Sequence, residues 1–218
     1  MSGRPVGAEG DRDARGYRVA PGQGPRLRAD VVDVYVLRLA AGDQRQRGAH
    51  GYGGDTESGH SAGGGDGGGG VTLARAGEPG LLQLRRNKDP LRGTWQPIMG
   101  HIEPGETAVD AALRELREEA GLGSEDGVLE GVWALEQVHP FFIWQIDCVV
   151  LSPRFLAVVK PGWEPRLNAE HDAARWVGVY GGAEVDRAWV WPGQRAAVAE
   201  IRALREPGSV AAGVQRVR

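Results

Sequence analysis

The stretch GHIEPGETAVDAALRELREEAGL, residues 100–122, carries the signals that decide the fold. Thr107 and the acidic residue three positions later, Asp110, have the spacing of a capping box, which marks a helix start. Gly121 is the residue type that most easily adopts the left-handed conformation past a helix end. We therefore predict a helix from about Thr107 to Ala120.

Apolar residues recur at helical spacing in this segment and predict a side that faces the core: Val109, Ala112, Leu113, Leu116 and Ala120. The other side carries Glu115, Glu118 and Glu119 at i, i+3 and i+4, within about one turn. Such a cluster is often a solvated acidic face. Here, however, the helix dipole disfavours negative charge in the last turn, and Arg114 and Arg117 do not outnumber the acids. Because carboxylate oxygens on a rigid helix suit Mg²⁺ or Mn²⁺, the triplet predicts a site for a hard divalent cation.

The same residues resemble the Nudix box, the signature of the MutT-like nucleoside diphosphate-X hydrolases, G-x5-E-x7-R-E-U-x-E-E-x-G-U with U aliphatic. Every fixed position is matched, by Gly100, Glu106, Arg114, Glu115, Leu116, Glu118, Glu119, Gly121 and Leu122. The resemblance implies an α/β/α sandwich with a mixed β-sheet. It also implies hydrolysis of a phosphoanhydride by metal-activated water.

Site roles follow from this resemblance residue by residue. It implies Mg²⁺ or Mn²⁺ as cofactor, with three metal ligands, Glu115, Glu118 and Glu119. Arg114 would orient a box glutamate, and Gly100 and Glu106 would shape the loop before the helix. A distant acid often joins the site in this family, six residues before a tryptophan. Glu170 stands six before Trp176, so it is a candidate for an extra ligand or general base, the alternative being an exposed loop acid.

Two features outside the box resemble one subgroup of the family, the dihydroneopterin triphosphate diphosphatase and dATP pyrophosphohydrolase type. Trp95 and Gln96 lie just ahead of the box, and Glu170 is followed by His171 and then by Trp176. This resemblance implies a small-molecule substrate, a nucleoside triphosphate or dihydroneopterin triphosphate, cut to a monophosphate and pyrophosphate. The alternatives are a dinucleoside polyphosphate, an RNA 5′-triphosphate end, or nucleotide binding without cleavage. Sensors of that last kind usually lack a box glutamate, and this chain has them all.

One local basic cluster precedes the box and consists of Arg85, Arg86, Lys88 and Arg92. We expect these side chains, together with Trp95 and Gln96, to bind the substrate. The net charge of −3, from 29 acidic and 26 basic side chains, provides no global positive field. Long nucleic acid is therefore not an expected partner, whereas a homodimer is left open.

Strand patterns surround the helix. The β-branched segment 31–40 predicts a buried strand, and 81–86, after the turn signal GEPG, predicts its hairpin partner. Further elements are predicted as strands at 128–138, 141–151 and 155–159 and as a helix from about Pro192 to Leu204. This order of strands and helices predicts an α/β fold whose mixed sheet is covered on both faces.

The 218 residues suffice for one domain of ordinary core size, which we place at residues 29–206. Residues 1–28 predict a flexible N-terminal arm, and 207–218 predict an untethered C-terminal tail. The glycine-rich stretch 43–70 predicts a disordered insert. The single cysteine, Cys148, excludes an internal disulfide framework and a multi-cysteine metal site. Since the chain also lacks an apolar stretch of about 18 residues and a signal-peptide core, we expect a soluble cytoplasmic protein.

Overall fold

The computed structural model describes residues 24–41, 73–75, 77–89, 91–180, 183–189, 191–206, 209 and 215–218. In chain order the elements are β1 (Arg26–Arg28), β2 (Val31–Arg38), β3 (Gly80–Arg86), β4 (Trp95–Gln96), β5 (Ile98–His101), α1 (Ala108–Ala120), β6 (Leu129–Ala134), β7 (Phe141–Ile143), β8 (Cys148–Val150), β9 (Arg154–Val159), β10 (His171–Gly178), α2 (Ala183–Arg187) and α3 (Pro192–Leu204). No helix in these ranges is long and apolar enough to cross a membrane.

A mixed sheet of seven strands forms the middle layer. Its order is β10-β3-β2-β9-β6, with β4 paired to β3 and β5 paired to β2. β2 runs antiparallel to β3 and β5 and parallel to β9. The predicted pairing of the first two long strands is confirmed, because Leu37 lies opposite Leu81 and Arg38 opposite Gly80. β2 is almost entirely buried since both of its faces are covered.

Helices cover the sheet on both faces and create two hydrophobic cores. On one face, Val32 and Val34 of β2 pack in the same cluster as Leu116 of α1. Tyr35, which alternates with them along the strand, belongs to the opposite cluster together with Ile201 of α3. The predicted α/β/α sandwich with a mixed sheet is thereby confirmed, as is the helix at Pro192–Leu204.

The ends of α1 follow from its sequence. Thr107 Oγ1 accepts a hydrogen bond from the Asp110 N–H at 3.2 Å, and the Asp110 carboxylate accepts one from the Thr107 N–H at 3.3 Å. Past the last turn Gly121 has a φ of 65°, and the Leu122 N–H donates to the carbonyl oxygen of Leu116 at 3.1 Å. The predicted helix, capping box and glycine C-cap are confirmed.

The segment 141–151, predicted as a single strand, is instead a hairpin. β7 and β8 pair antiparallel, and a 3₁₀ turn at Trp144–Ile146 lies between them. The chain reverses because Asp147 adopts a left-handed φ of 47°, which aspartate tolerates better than most residues. The aromatic and β-branched composition of the segment gives no sign of this reversal, so the prediction of one strand was wrong.

Two short described segments, one in the predicted arm and one in the predicted tail, pair with strands. β1 pairs in parallel with β8, so Arg26–Arg28 form a strand rather than the end of a flexible arm. Residues 215–218 of the tail are tethered, because the N–H groups of Val132 and Ala134 in β6 donate to the carbonyl oxygens of Arg218 and Gln215, both at 2.9 Å. These bonds satisfy donors of a sheet-edge strand. The predicted insert at 43–70 and the arm up to residue 23 lie outside the described residues.

Gly121 and Gly127 are a matched pair for testing the C-cap of α1. Both have a left-handed φ, 65° and 64°, but a Cβ at Gly121 would meet Nε of Arg166 at 2.9 Å, whereas a Cβ at Gly127 would meet nothing within 4 Å. We expect Gly127→Ala to lower the free energy of unfolding by about 1 kcal/mol through backbone strain, and Gly121→Ala by about 2 kcal/mol. Urea denaturation followed by circular dichroism measures both losses. Equal losses would show that Arg166 moves aside without cost.

Candidate active site

Gly100 of β5 lies directly against Glu115, the first glutamate of α1. A Cβ placed on Gly100 would overlap the carboxylate of Glu115. Because glycine has no side chain, α1 approaches β5 closely and the Glu115 carboxylate lies over the backbone of the strand. This close approach is the physical reason for a glycine at position 100.

The three glutamates of α1 do not share one solvated side. Glu115 and Glu119 are buried, at 8% and 3% exposure, whereas Glu118 is exposed. The side of the helix that faces the core is therefore rotated from the predicted one, since Val109 and Leu113 are only partly buried. Helical periodicity predicts that glutamates face solvent. It carries no information about Gly100 of β5, which leaves room for Glu115 beside the strand.

Arg114 holds the acidic groups of this region together. Its Nε and Nη2 donate to the two oxygens of Glu106, at 2.8 and 3.1 Å. Nη1 donates to Glu115 at 2.7 Å and to Glu118 at 3.2 Å, and Nη2 also donates to the carbonyl oxygen of His101 at 2.6 Å. Guanidinium–carboxylate pairing of this kind fixes direction as well as distance. Arg114 can therefore orient Glu115 while it anchors the loop before the helix through Glu106.

Burial and the charge of Arg114 shift the pKa values of the carboxyl groups. The Arg114 guanidinium holds the pKa of Glu106 below its usual range. Burial raises the pKa of Glu115, although its bond to Arg114 works in the opposite direction. For Glu119, burial and then the charge of Glu115 raise the pKa to about 8. The chain thus holds two carboxyl groups where their negative charge is not fully compensated.

One buried carboxylate oxygen of Glu119 has no partner among the described residues that compensates its negative charge. Glu119 Oε2 is buried and has no hydrogen-bond partner within the described residues. The buried Nε2 of His171 lies 4.0 Å away, which is too far for a hydrogen bond. A hard divalent cation held with Glu115 would satisfy this oxygen, so the residues fit Mg²⁺ or Mn²⁺. In the part of the chain that the structure describes, no group of three His, Cys, Asp or Glu side chains is arranged to hold an ion as it stands.

Glu170 directly precedes β10, whose first residue, His171, has its Nε2 4.0 Å from Glu119 Oε2. Its carboxylate accepts a hydrogen bond from Lys88 Nζ at 3.0 Å, and Arg86 Nη1 lies 3.7 Å away. The bond from Lys88 lowers the pKa of Glu170, and the charge of Glu170 contributes to the raised pKa values of Glu115 and Glu119. The structure therefore brings the predicted distant acid close to the glutamates of α1.

A cleft of about 630 Å³ opens at the loop between β3 and β4. Its lining residues are Arg85, Arg86, Asn87, Lys88, Arg92, Gly93, Trp95 and Asp172. All four predicted basic residues are thus brought together. Arg85 is paired with Asp172 at 2.6 Å, and Arg92 Nε donates to the carbonyl oxygen of Asn87 at 2.9 Å. A concave surface with this many cations suits a polyanionic ligand.

The two residues of β4 point to opposite faces of the sheet. Trp95 stands opposite Arg85 and lines the cleft, but Gln96 is buried and is not part of the lining. The structure therefore does not bring Gln96 to the predicted substrate site. The sequence alone does not indicate Arg175, whose guanidinium lies 4.2 Å from the centre of the Trp95 ring. Its position follows from the register of β10 against β3, which a single sequence does not reveal.

Arg114 and Arg117 allow a test of the arginine that contacts the glutamates. Arg117 lies on the same helix but is exposed. We expect Arg114→Gln to weaken Mn²⁺ binding by at least about tenfold, because Glu115 loses the donor that orients it. Arg117→Gln removes the same charge and should leave Mn²⁺ affinity equal or slightly higher. Electron paramagnetic resonance of free Mn²⁺ measures both affinities; an unchanged affinity in Arg114→Gln would contradict the orienting role.

Comparison with known proteins identifies related chains. The NUDIX domain model matches residues 68–194, more than half of the chain. The bis(5′-nucleosyl)-tetraphosphatase [asymmetrical] of Sus scrofa is 38% identical over 86 residues, which are 39% of this chain and 56% of the pig protein. The 8-oxo-dGDP phosphatase NUDT18 of Mus musculus is 46% identical over 52 residues, 24% of this chain and 16% of the mouse protein. The chain therefore spans little more than half of the pig protein's length.

A solved structure agrees with the fold. The C. elegans Ap4A hydrolase binary complex superposes with a TM-score of 0.51 and 17% identity, covering 80% of this chain and 96% of the nematode chain. At this identity the likeness concerns the fold alone. The family match, which includes the whole of α1 and the loop before it, carries the further conclusion that this chain belongs to the Nudix family of hydrolases.

Proposed function

We propose that this Nudix hydrolase cleaves nucleoside polyphosphates, and that a dinucleoside polyphosphate is its substrate class. The observation that carries the proposal is the cleft in which Arg85, Arg86, Lys88 and Arg92 meet beside Glu170. A chain of phosphates placed there has cations along it and the buried glutamates of α1 close by. The name of the pig relative, a bis(5′-nucleosyl)-tetraphosphatase, supports the choice of substrate class.

The glutamates of α1 would hold the divalent cation that Nudix hydrolases generally use, Mg²⁺ or Mn²⁺. When bound, such a cation lowers the pKa of a water molecule and neutralises charge on phosphoryl oxygens. Glu115 and Glu119 supply buried oxygens, and Glu118 supplies an exposed one. Arg114 keeps Glu115 and Glu118 in position through its hydrogen bonds.

The remaining residues would bind and orient the substrate. Arg86 and Lys88 lie nearest to Glu170 and are suited to the phosphates next to the bond that is cut. Glu170 is our candidate for a further ligand or the base that accepts a proton from the attacking water. Trp95 exposes part of its ring to the cleft and can contact a nucleoside, while Arg175 covers the ring at 4.2 Å.

A second candidate is a triphosphate substrate, cut to a monophosphate and pyrophosphate. The sequence resemblance to the dihydroneopterin triphosphate diphosphatase type implies it, and the position of Trp95 in the cleft favours it. Gln96, which follows Trp95 in that resemblance, does not line the cleft. We therefore rank a dinucleoside polyphosphate above a triphosphate as the substrate class.

Products separate the two candidates. We expect diadenosine tetraphosphate to be cut asymmetrically to a nucleoside triphosphate and a nucleoside monophosphate, with kcat/KM at least about tenfold above that for dATP or dihydroneopterin triphosphate. Ion-exchange chromatography of the products of a Mg²⁺-dependent reaction measures this. Pyrophosphate from dATP at a higher kcat/KM would reverse the ranking. No turnover of any of the three compounds would reject the proposed substrate class.

The exposed glutamate of α1 offers a test that does not disturb the core. We expect Glu118→Gln to lower kcat by at least about a hundredfold, because it removes a charged oxygen ligand while preserving side-chain size. Glu125→Gln, an exposed acid in the turn after α1, is the control and should keep the wild-type rate. Full activity of Glu118→Gln, or of the wild-type chain in excess EDTA, would contradict the metal-dependent mechanism.

A further inference from the structure

Both polar groups of the Glu170 main chain are hydrogen-bonded. Its N–H donates to Asn168 Oδ1 at 2.9 Å, and its carbonyl oxygen accepts a hydrogen bond from the Asn87 N–H at 2.9 Å. The second bond ties the residue to the loop after β3. A change of position at Glu170 therefore requires rotation of the side chain and no movement of the backbone.

The segment before Glu170 is also tied to the end of α1. The N–H of Arg166 donates to the carbonyl oxygen of Ala120 at 2.8 Å, and its Nη2 lies 3.4 Å from the carbonyl oxygen of Gly121. The last turn of α1, which carries Glu119, and the residue Glu170 are thus parts of one connected unit. The residue that follows Glu170, His171, has its Nε2 4.0 Å from Glu119 Oε2, so Glu170 borders the buried end of the acidic cluster.

The carboxylate of Glu170 nevertheless bonds in another direction. Lys88 Nζ donates to it at 3.0 Å, and Arg86 Nη1 lies 3.7 Å away. Its side chain is 39% exposed, so part of it is open to solvent. Both cations belong to the lining of the cleft. One pair of basic side chains therefore contacts Glu170 and faces the place proposed for the phosphates of the substrate.

The two demands on these cations compete. A chain of phosphates carries more negative charge than a single carboxylate and attracts Lys88 and Arg86 more strongly. Phosphates that bind at Lys88 and Arg86 would replace the Glu170 carboxylate as their partner. Rotation about the side-chain bonds would then let the freed carboxylate turn toward Glu115 and Glu119. Oε2 of Glu119 is the oxygen that lacks a partner there.

We propose that Lys88 is a positioning residue that controls Glu170 by exchange of ion pairs: substrate phosphates take Lys88 and Arg86, and the released Glu170 carboxylate completes the cation site of α1. The exchange couples the two ligands, so that substrate strengthens cation binding and the cation strengthens substrate binding by the same factor. The identity of the phosphates rests on the proposed function. The competition between Lys88 and the cation site for the Glu170 carboxylate does not depend on it.

Removal of Lys88 should imitate the arrival of phosphates, which allows a test without any nucleotide. The experiment titrates Mn²⁺ into the full chain and follows free Mn²⁺ by electron paramagnetic resonance. We expect Lys88→Met to bind Mn²⁺ at least about fivefold more tightly than the wild-type chain, because Glu170 becomes free to ligate. Thermal unfolding of each variant provides the control for folding.

Two further variants separate exchange from simple loss of charge. Arg92→Met removes a cation that lines the same cleft but contacts Asn87 rather than Glu170, and it should change Mn²⁺ affinity by less than about twofold, because solvent screens the charge. Glu170→Gln should abolish the gain when combined with Lys88→Met, and should have little effect in the wild-type background. An equal gain in Lys88→Met and Arg92→Met, or an equal effect of Glu170→Gln in both backgrounds, would overturn the proposal.

A kinetic measurement distinguishes a failure of this inference from a failure of the proposed function. In the wild-type chain the KM for diadenosine tetraphosphate should fall as Mn²⁺ rises toward saturation, and Glu170→Gln should remove most of that fall. If Glu170→Gln keeps the whole fall, the exchange is overturned while the hydrolase function stands. If the nucleotide is not hydrolysed at all but the Mn²⁺ titrations give the expected pattern, the substrate class is wrong and the competition at Glu170 stands.

Discussion

The site depends on one arginine that compensates several carboxylates at a partly buried position. Arg114 donates to Glu106, Glu115 and Glu118 and to the backbone at His101. Without such a donor, buried carboxylates would take up protons or turn to solvent, because desolvation disfavours their charged form. With it, the Glu115 carboxylate is oriented over β5, while burial still raises its pKa. Glu119 remains undercompensated, which leaves a demand for positive charge that a divalent cation meets.

The fold supplies this arrangement through two close approaches. At one end of the site, Gly100 lets α1 lie against β5, which gives the Glu115 carboxylate its place over the strand. At the other end, Gly121 turns the chain in a left-handed conformation, and Arg166 packs on it and bonds to the last carbonyl groups of the helix. The same segment leads to Glu170 at the start of β10. Two glycines thus determine how the acidic helix meets the sheet.

Local signals in the sequence predicted the parts of the fold that local interactions decide. The capping box at Thr107 and the C-cap at Gly121 set the bounds of α1, and β-branched, apolar composition predicted the long strands. The hairpin at 141–151 was missed because it depends on the backbone of Asp147 rather than on side-chain composition. The strand at Arg26–Arg28 was missed since its partner, β8, is distant in sequence and its residues are too polar to indicate a core strand.

The site was predicted to the extent that its residues lie on one helix. Spacing along α1 identified Glu115, Glu118 and Glu119, but it could not show that two of them are buried, because burial depends on β5 and its glycine. Arg175 was not identified, and the burial of Gln96 was not foreseen, because both depend on the strand register. Glu170 was identified through family resemblance, while its bonds to Lys88 and Arg86 belong to tertiary structure alone.

Glu115, which Arg114 orients, and the buried Glu119 are the centre of the divalent cation site that we propose on α1. An anomalous difference map at the manganese absorption edge, from crystals of the full chain grown with Mn²⁺, tests it most directly. The account predicts a peak at about 2.2 Å from oxygens of Glu115 and Glu119, with Arg114 still bonded to Glu106. A fully occupied Mn²⁺ elsewhere in the molecule, with both glutamates unliganded, would contradict it.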